Sequence, residues 1–522
     1  MRLLTGNRTV AVLVVMSLAA LGAVATTTSA GATDASSSSS SASTTSSVVL
    51  PVAPIGHAGR WITDADGRVL IVSGVNMVNK ITPYTPAADG FGATDAAFLA
   101  DNGLSAVRVG VLWEELEPSP GVFNDAYLAS IEQTVDTLGS HGIVSLLDFH
   151  QDMYNEEFQG EGEPSWAIDD NNDILFPLLG FSANYFLLPA LMATYDNFWD
   201  DATVDGEGLW SWYSGAVAHV AAYFDNNPYV LGYDLFNEPS PGSDIYDCLI
   251  SSDGCPSDDA TLTSFYTTVT KAVRKVNTTS LLFDEPWLTF DTGTPSSLGS
   301  TGDSETGFSF HDYCPFDAVS TDLDFACPSY NSSVFTNADD VSDNTGDALL
   351  LTEFGATDDA SILSEVVADA ASAKVGWMQW AFCYCDDPTT SSTSEGLVSD
   401  VSDPSGSVDT SMLDALAVPH PDLVSGTPDS YGYDTSTSVF SLTYSTERAS
   451  GTGAFAAGSV TSVSVPSVQY PSGYAVTVSG GTVVSTGGVL EVASCSGATS
   501  VTVTVSPGSG TSGSCLPGVT RR

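Results

Sequence analysis

The chain has 522 residues, long enough for one large domain and a smaller one. It carries 64 acidic against 13 basic side chains, a formal net charge of −51. So large an excess of one sign disfavours nucleic acid and anionic membranes as partners and favours solubility, but says nothing about fold. The first residues combine a charged start at Arg2 and Arg8, an apolar run from Val10 to Val24, and small residues around Ala25, Ala30 and Ala32. That pattern is a secretory signal peptide over 1–32, and the Ser/Thr-rich stretch 33–48 reads as a flexible linker. The expected localisation is therefore extracellular.

From Trp61 onward the pattern alternates strand and helix. Eight apolar strands are expected: Val69 to Asn76, Ala106 to Val111, Ile143 to His150, Val230 to Phe236, Ser280 to Glu285, Gly307 to Tyr313, Ala348 to Glu353, and Val375 to Phe382. Amphipathic segments lie between them, among them Ala93 to Asn102, Asp125 to Ser140 and Leu209 to Asn226. The class this implies is α/β, a (β/α)8 TIM barrel over 49–418. A doubly wound sheet would need a Gly-rich phosphate turn after the first strand, and Ser73-Gly74-Val75-Asn76 is not one. The third and fourth strands are separated by about 80 residues, far more than a helix and two loops require. This connection holds the apolar run Ile174 to Phe181 and a second from Tyr185 to Met192. The runs are either packing for the extra segment or an apolar wall beside the active face. Past Pro419 helical periodicity gives way to short Val/Thr/Ser-rich strands with Gly and Ser turns, which reads as an antiparallel β-sandwich over 425–507 and a flexible tail over 508–522.

Eight cysteines suit an oxidising compartment. Cys248 with Cys255, Cys314 with Cys327, and Cys495 with Cys515 are expected disulfides. Cys383 and Cys385 are left to bridge across one residue, to stay free, or to cross with another pair. No Cys-x-x-Cys or His-rich spacing supports a zinc site.

The strand ends carry the chemistry. Leu231-Gly-Tyr-Asp-Leu-Phe-Asn-Glu-Pro-Ser240 is an apolar run that stops on Asn237, Glu238 and Pro239. Leu349-Leu-Leu-Thr-Glu-Phe-Gly355 delivers Glu353 in the same way. Two strand-end carboxylates are what a glycosidase needs. Arg108, His150, His311, Tyr313 and Trp380 fall at or near the ends of other strands. Each alone has a structural explanation, but together they point to the C-terminal face of one barrel.

As a set, the Arg of strand two, the His of strand three, Asn-Glu-Pro after strand four, His-x-Tyr after strand six, Glu-Phe-Gly after strand seven and Trp after strand eight resemble glycoside hydrolase family 5. The resemblance implies a retaining enzyme with Glu238 as acid/base and Glu353 as nucleophile. Independently of it, Arg108 and Tyr313 should keep Glu353 ionised, while burial and the charge of Glu353 should raise Glu238. Asn237 can bond a sugar 2-hydroxyl, His150 and His311 can hold the sugar and tune Glu238, and Trp380 offers a flat apolar face.

A narrower resemblance joins Asp148-Phe-His-Gln-Asp-Met-Tyr154 and Gly160-Glu-Gly-Glu-Pro-Ser-Trp-Ala167 to the endoglycoceramidases and their galactosylceramide-cleaving relatives. It implies that Gln151, Asp152, Trp166 and Glu285 contact the first sugar. The chain departs from that pattern at Glu163, where alanine is usual, which leaves the glucosyl or galactosyl preference open. The expected function is hydrolysis of the bond between glycan and ceramide in glycosphingolipids by a monomer that touches membrane or micelle surfaces transiently and needs no cofactor or metal. The alternatives are a polysaccharide endo-β-glucanase, with Trp113, Trp210, Trp212 and Trp287 lining a cleft, and a non-catalytic glycolipid-binding barrel.

Overall fold

The computed structural model describes residues 50–314, 327–390, 392–513 and 515. The leader and linker expected over 1–48 lie outside the described residues. Eight parallel strands close a barrel in chain order: Ser73–Met77, Ala106–Val111, Val144–Phe149, Val230–Asp234, Leu281–Asp284, Thr306–Asp312, Ala348–Phe354 and Gly376–Gln379. All but Val230 of these strand residues are buried, as both faces of a barrel sheet require. Where strands one and two close together, a Cβ on Gly74 would meet the Ala106 carbonyl at 2.2 Å, so only glycine fits. Helices such as Ala93–Asp101, Asp125–Ser140 and Leu209–Tyr223 pack outside. Each buries one apolar stripe, for example Leu128, Ile131, Val135 and Leu138.

The strand expected over 69–76 is broken in two. Val69–Leu70 pairs antiparallel with Leu423 and Val424, and the barrel strand begins only at Ser73. The reason lies in the alternation of side chains. Val69 and Ile71 enter the core of the C-terminal unit, while Leu70 and Val72 join a cluster with Ala106, Val144 and Leu350. One apolar run therefore serves two cores.

The C-terminal unit is a sandwich of two sheets. A seven-stranded sheet includes His420–Val424, Val460–Ser464 and Val489–Ser494, and takes in Gly56–Ala58, Trp61–Thr63 and Val69–Leu70 from before the barrel. A five-stranded sheet holds Thr427–Asp434, Val439–Ser445, Ser500–Pro507, Tyr474–Ser479 and Gly510–Ser512. Phe440, Leu442 and Tyr444 alternate into the shared core with Val463, Val492 and Val503. Gly510–Ser512, expected as flexible tail, is instead a parallel edge strand on Ala475–Thr477, secured by the Cys495–Cys515 disulfide. The three expected disulfides form, and Cys383 bonds Cys385. Among the described residues no helix is long and apolar enough to cross a membrane.

The long connection after strand three holds two helices, Ala183–Leu187 and Pro189–Trp199, a two-stranded hairpin at 203–208, and then helix Leu209–Tyr223.

Candidate active site

Arg108, fully buried on strand two, is the centre of the barrel's C-terminal end. Its Nε donates to Asp234 Oδ2 at 2.9 Å and its Nη2 to Asn237 Oδ1 at 2.8 Å. Nη2 also lies 2.9 Å from Asp148 Oδ1, and Nη1 donates to Glu353 Oε1. A planar guanidinium with five donors can hold strands three, four and seven in one register. Asp148 and Asp234, which sequence reasoning passed over as parts of apolar strands, carry this work. Asp148 also bonds His150 Nδ1 at 2.8 Å. Burial disfavours the charged imidazole of His150, but Asp148 outweighs it and the pKa rises to about 9.

Glu238 and Glu353 face the same imidazole. His311 Nδ1 lies 2.9 Å from Glu238 Oε1 and 3.6 Å from Glu353 Oε2. Those two contacts keep the facing carboxylate oxygens within about 6.5 Å of each other, a bound that admits the separation of a double-displacement pair. Burial lowers His311 to about 4, so the ring is neutral at neutral pH. The two carboxyls are unequal. Glu353 receives Arg108 and, at 2.9 Å, the Tyr313 hydroxyl. Burial raises its pKa, opposed by His311 and Arg108. Glu238 has no such guanidinium contact; burial, reinforced by Asp152, pushes it up to about 7. The pair can therefore hold one proton, on Glu238, opposite an ionised Glu353.

The backbone that presents Glu238 is clamped by side chains. Glu238 has φ 41°, a left-handed conformation that costs about 1–3 kcal/mol for a residue with a Cβ. Its N–H donates to Glu285 Oε1 at 2.9 Å. Gln151 Nε2 donates to the carbonyls of Asn237 at 2.7 Å and Glu238 at 3.1 Å. Gln151 Oε1 in turn accepts from the Tyr154 N–H and the Tyr195 hydroxyl. Gln151 and Glu285, expected at the first sugar, thus both hold the backbone that presents the acid. Glu285 also lies 3.6 Å from Arg108 and 3.5 Å from His311.

The other expected sugar contacts divide. Asp152 does lie at the site, bonded to Lys80 Nζ at 2.6 Å and to Thr389 Oγ1 at 3.1 Å. Lys80, missed from sequence, lies between Asp152 and Asp387, and its ammonium sits 4.3 Å from the Trp380 ring centroid. His150 stacks on the same indole at 5.4 Å. The signal was available: lysine is scarce in this chain, and Lys80 follows the first barrel strand. Asp152, Glu161 and His150 cluster closely enough to share a cation, and Lys80 supplies one. The two glycines of Gly160-Glu-Gly162 let this cluster close. A Cβ on Gly160 would meet the Asp152 carbonyl at 1.9 Å, and one on Gly162, at φ +119°, would meet Gln151 Cβ at 2.4 Å. Trp166 does not join the carboxyl pair. Its ring packs edge-on against Trp113 and Trp212, and its Nε1 donates to the Glu117 carbonyl.

Nor do the tryptophans form a polymer cleft. Trp113 and Trp287 are buried, and the indole N–H groups of Trp210 and Trp212 are bound to the Phe198 and Val204 carbonyls. The apolar connection is different. Ile174 is 62% exposed, Phe176 70% and Leu187 46%, while Leu188, expected on the same wall, is fully buried. The connection is tied to the site: Tyr185 accepts from the Met153 N–H at 2.7 Å and stacks on Tyr195, which bonds Gln151.

The family model described as cellulase (glycosyl hydrolase family 5) matches residues 64–386, and that of the family 5 C-terminal domain matches 419–505. Endoglycoceramidase I of Rhodococcus hoagii is 29% identical over 470 residues, 87% of this chain and 88% of that one. An endoglycoceramidase of Hydra vulgaris is 25% identical over 452 residues, covering 79% and 80%. The solved structure of endo-glycoceramidase II from a Rhodococcus species in complex with ganglioside GM3 superposes with a TM-score of 0.72 at 26% identity, covering 86% of this chain and 99% of that one. With a matching barrel, a matching C-terminal domain and paired carboxyls at the strand ends, this chain belongs to glycoside hydrolase family 5.

Proposed function

We propose that the protein is a secreted, monomeric, retaining endoglycosidase that hydrolyses the β-glycosidic bond between glycan and ceramide in glycosphingolipids. Glu238 is its acid/base and Glu353 its nucleophile. The observation that carries this reading is the asymmetric carboxyl pair beside an exposed apolar loop. Glu353, held by Arg108 and Tyr313, attacks the anomeric carbon while Glu238 protonates the departing ceramide oxygen. Glu238 then takes a proton from water, which opens the glycosyl-enzyme ester. Asn237 spends its oxygen on Arg108 and one N–H on the Gln151 carbonyl, leaving one N–H for the sugar 2-hydroxyl. Asp152 and Lys80, beside Trp380, supply an acceptor and a donor for further hydroxyls.

The connection that exposes Ile174, Phe176 and Leu187 supports a lipid substrate and transient contact with a micelle or bilayer surface, since exposed apolar side chains favour apolar partners. Four disulfides and the leader support secretion. The test is product analysis on lactosylceramide, a 6-linked galactosyl glycolipid and carboxymethylcellulose. Release of intact oligosaccharide and ceramide is expected from a lipid, and the preferred lipid names the sugar series. Cleavage of the polymer alone overturns the proposal. Glu238→Ala should regain turnover of an activated aryl glycoside when azide is added, and absence of rescue removes the acid/base assignment.

A further inference from the structure

A third carboxyl stands beside Glu238. Asp291 follows barrel strand five, in the short 3-10 turn Leu288–Thr292, and its carbonyl accepts from the Tyr313 N–H at 3.0 Å. That bond fastens the turn to the end of strand six, where His311 and Tyr313 meet the two catalytic candidates. Glu238, Asp291 and His311 each bring an atom to within 4.8 Å of the others, and the Asp291 side chain is buried. Neither Gln151 nor Glu285 explains it, because both hold the backbone of Glu238 rather than its carboxyl.

The charges around this point are one-sided. Asp291 and Glu238 are faced by Glu353 from strand seven, by Glu285 from strand five, and by His311, Asp312 and Tyr313 from strand six. Asp152 and Tyr185 approach from the connection after strand three. The cations within reach are Arg108, Lys80 and His150, and each is engaged elsewhere. Arg108 is bonded to Asp148, Asp234 and Glu353, Lys80 to Asp152 and Asp387, and His150 to Asp148. Among the described residues no lysine or arginine pairs with Asp291. A buried carboxyl and a largely buried one this close, with no cation of their own, cannot both ionise cheaply, and one proton between them is the favoured state. Burial and the neighbouring Glu238 accordingly raise the Asp291 carboxyl well above the usual range.

We propose that Asp291 is a positioning residue of the catalytic centre that shares a proton with Glu238 and sets the upper pH limit of acid catalysis. The proton leaves with the glycosidic oxygen in the first step, and Glu238 recovers it from water in the second, so the pair is restored each turnover. The inference rests on Glu238 being the acid/base.

The experiment is the pH dependence of kcat/KM for Asp291→Asn, on a glycosphingolipid and on a dinitrophenyl glycoside whose leaving group needs no proton. Removal of the like charge should move the alkaline limb down by about one pH unit on the lipid, roughly a tenfold loss above neutral with none at the acid end. The limb for the dinitrophenyl substrate should stay in place. Asp291→Glu should restore the lipid limb. An unmoved limb, or an equal loss at every pH on both substrates, overturns the proposal. Should the amide variant fail to fold, Asp291→Ser reads the same limb. Azide rescue of Glu238→Ala with no limb shift in Asp291→Asn sinks only this inference, whereas failed rescue sinks the acid/base reading beneath it.

Discussion

The end of the barrel and the connection beside it are built from opposite materials. At the barrel end, charged groups are buried around one guanidinium: Arg108 alone holds Asp148, Asp234, Asn237 and Glu353. In the connection, apolar side chains are left in the open, with Phe176 and Ile174 more exposed than most polar residues of the core. Each arrangement is costly in water by itself. Buried charge requires complete pairing, and exposed apolar surface requires a partner. In the proposed reaction the first arrangement would fix where atoms react, and the second would receive a lipid tail.

The comparison breaks most sharply at Glu353. Glu353→Gln should lose roughly three orders of magnitude or more in kcat on every substrate while leaving the fold intact, as circular dichroism would confirm. Arg108→Met tests whether the network is also a scaffold. It leaves several buried carboxylates without their cation and should cost about 3–5 kcal/mol, read as a lowered Tm alongside lost activity. A variant as stable as the parent would refute that role. The pH profile comes next. With Glu238 at about 7 and required in its protonated form, kcat/KM on lipid should fall as pH rises through that value, while the acid limb belongs to protonation of Glu353, which burial raises. A profile without that alkaline limb would overturn the assignment of the pair. The smallest effect should come from the loop. Replacing Ile174, Phe176 and Leu187 together by serine should reduce turnover of micellar glycolipid several-fold and leave short aryl glycosides unchanged, because these side chains touch no part of the carboxyl pair. Equal losses on both would return the loop to a packing role.

Most of the eight barrel strands were legible because they are short, nearly continuous apolar runs ended by a polar residue, and Glu238 and Glu353 stand at two of those ends. Less legible were strands without that signature. Thr427–Asp434 is polar and glycine-containing, and its pairing with Val439–Ser445 comes from the partner strand rather than from its own composition. Val69–Leu70 looked like the start of a barrel strand because nothing in the run marks the point where the chain changes sheets. At the site, Lys80 and Asp387 were missed since neither ends an apolar run; they come from loops after strands one and eight that close over Asp152.

The sequence by itself determined the class of fold and that two carboxyls stand at strand ends, because strand period, strand ends and residue type are local properties of the chain. It also determined that an unusual apolar stretch lies between strands three and four. Only the tertiary structure decided which polar residues hold the backbone that presents Glu238. Gln151 and Glu285 have the same chemistry as sugar-binding residues, but their partners are the backbone carbonyls and N–H of Asn237 and Glu238, distant in sequence and brought together by barrel closure. Asp291 and Glu238 likewise come from different strand ends, and their mutual charge has meaning only once burial removes the water between them.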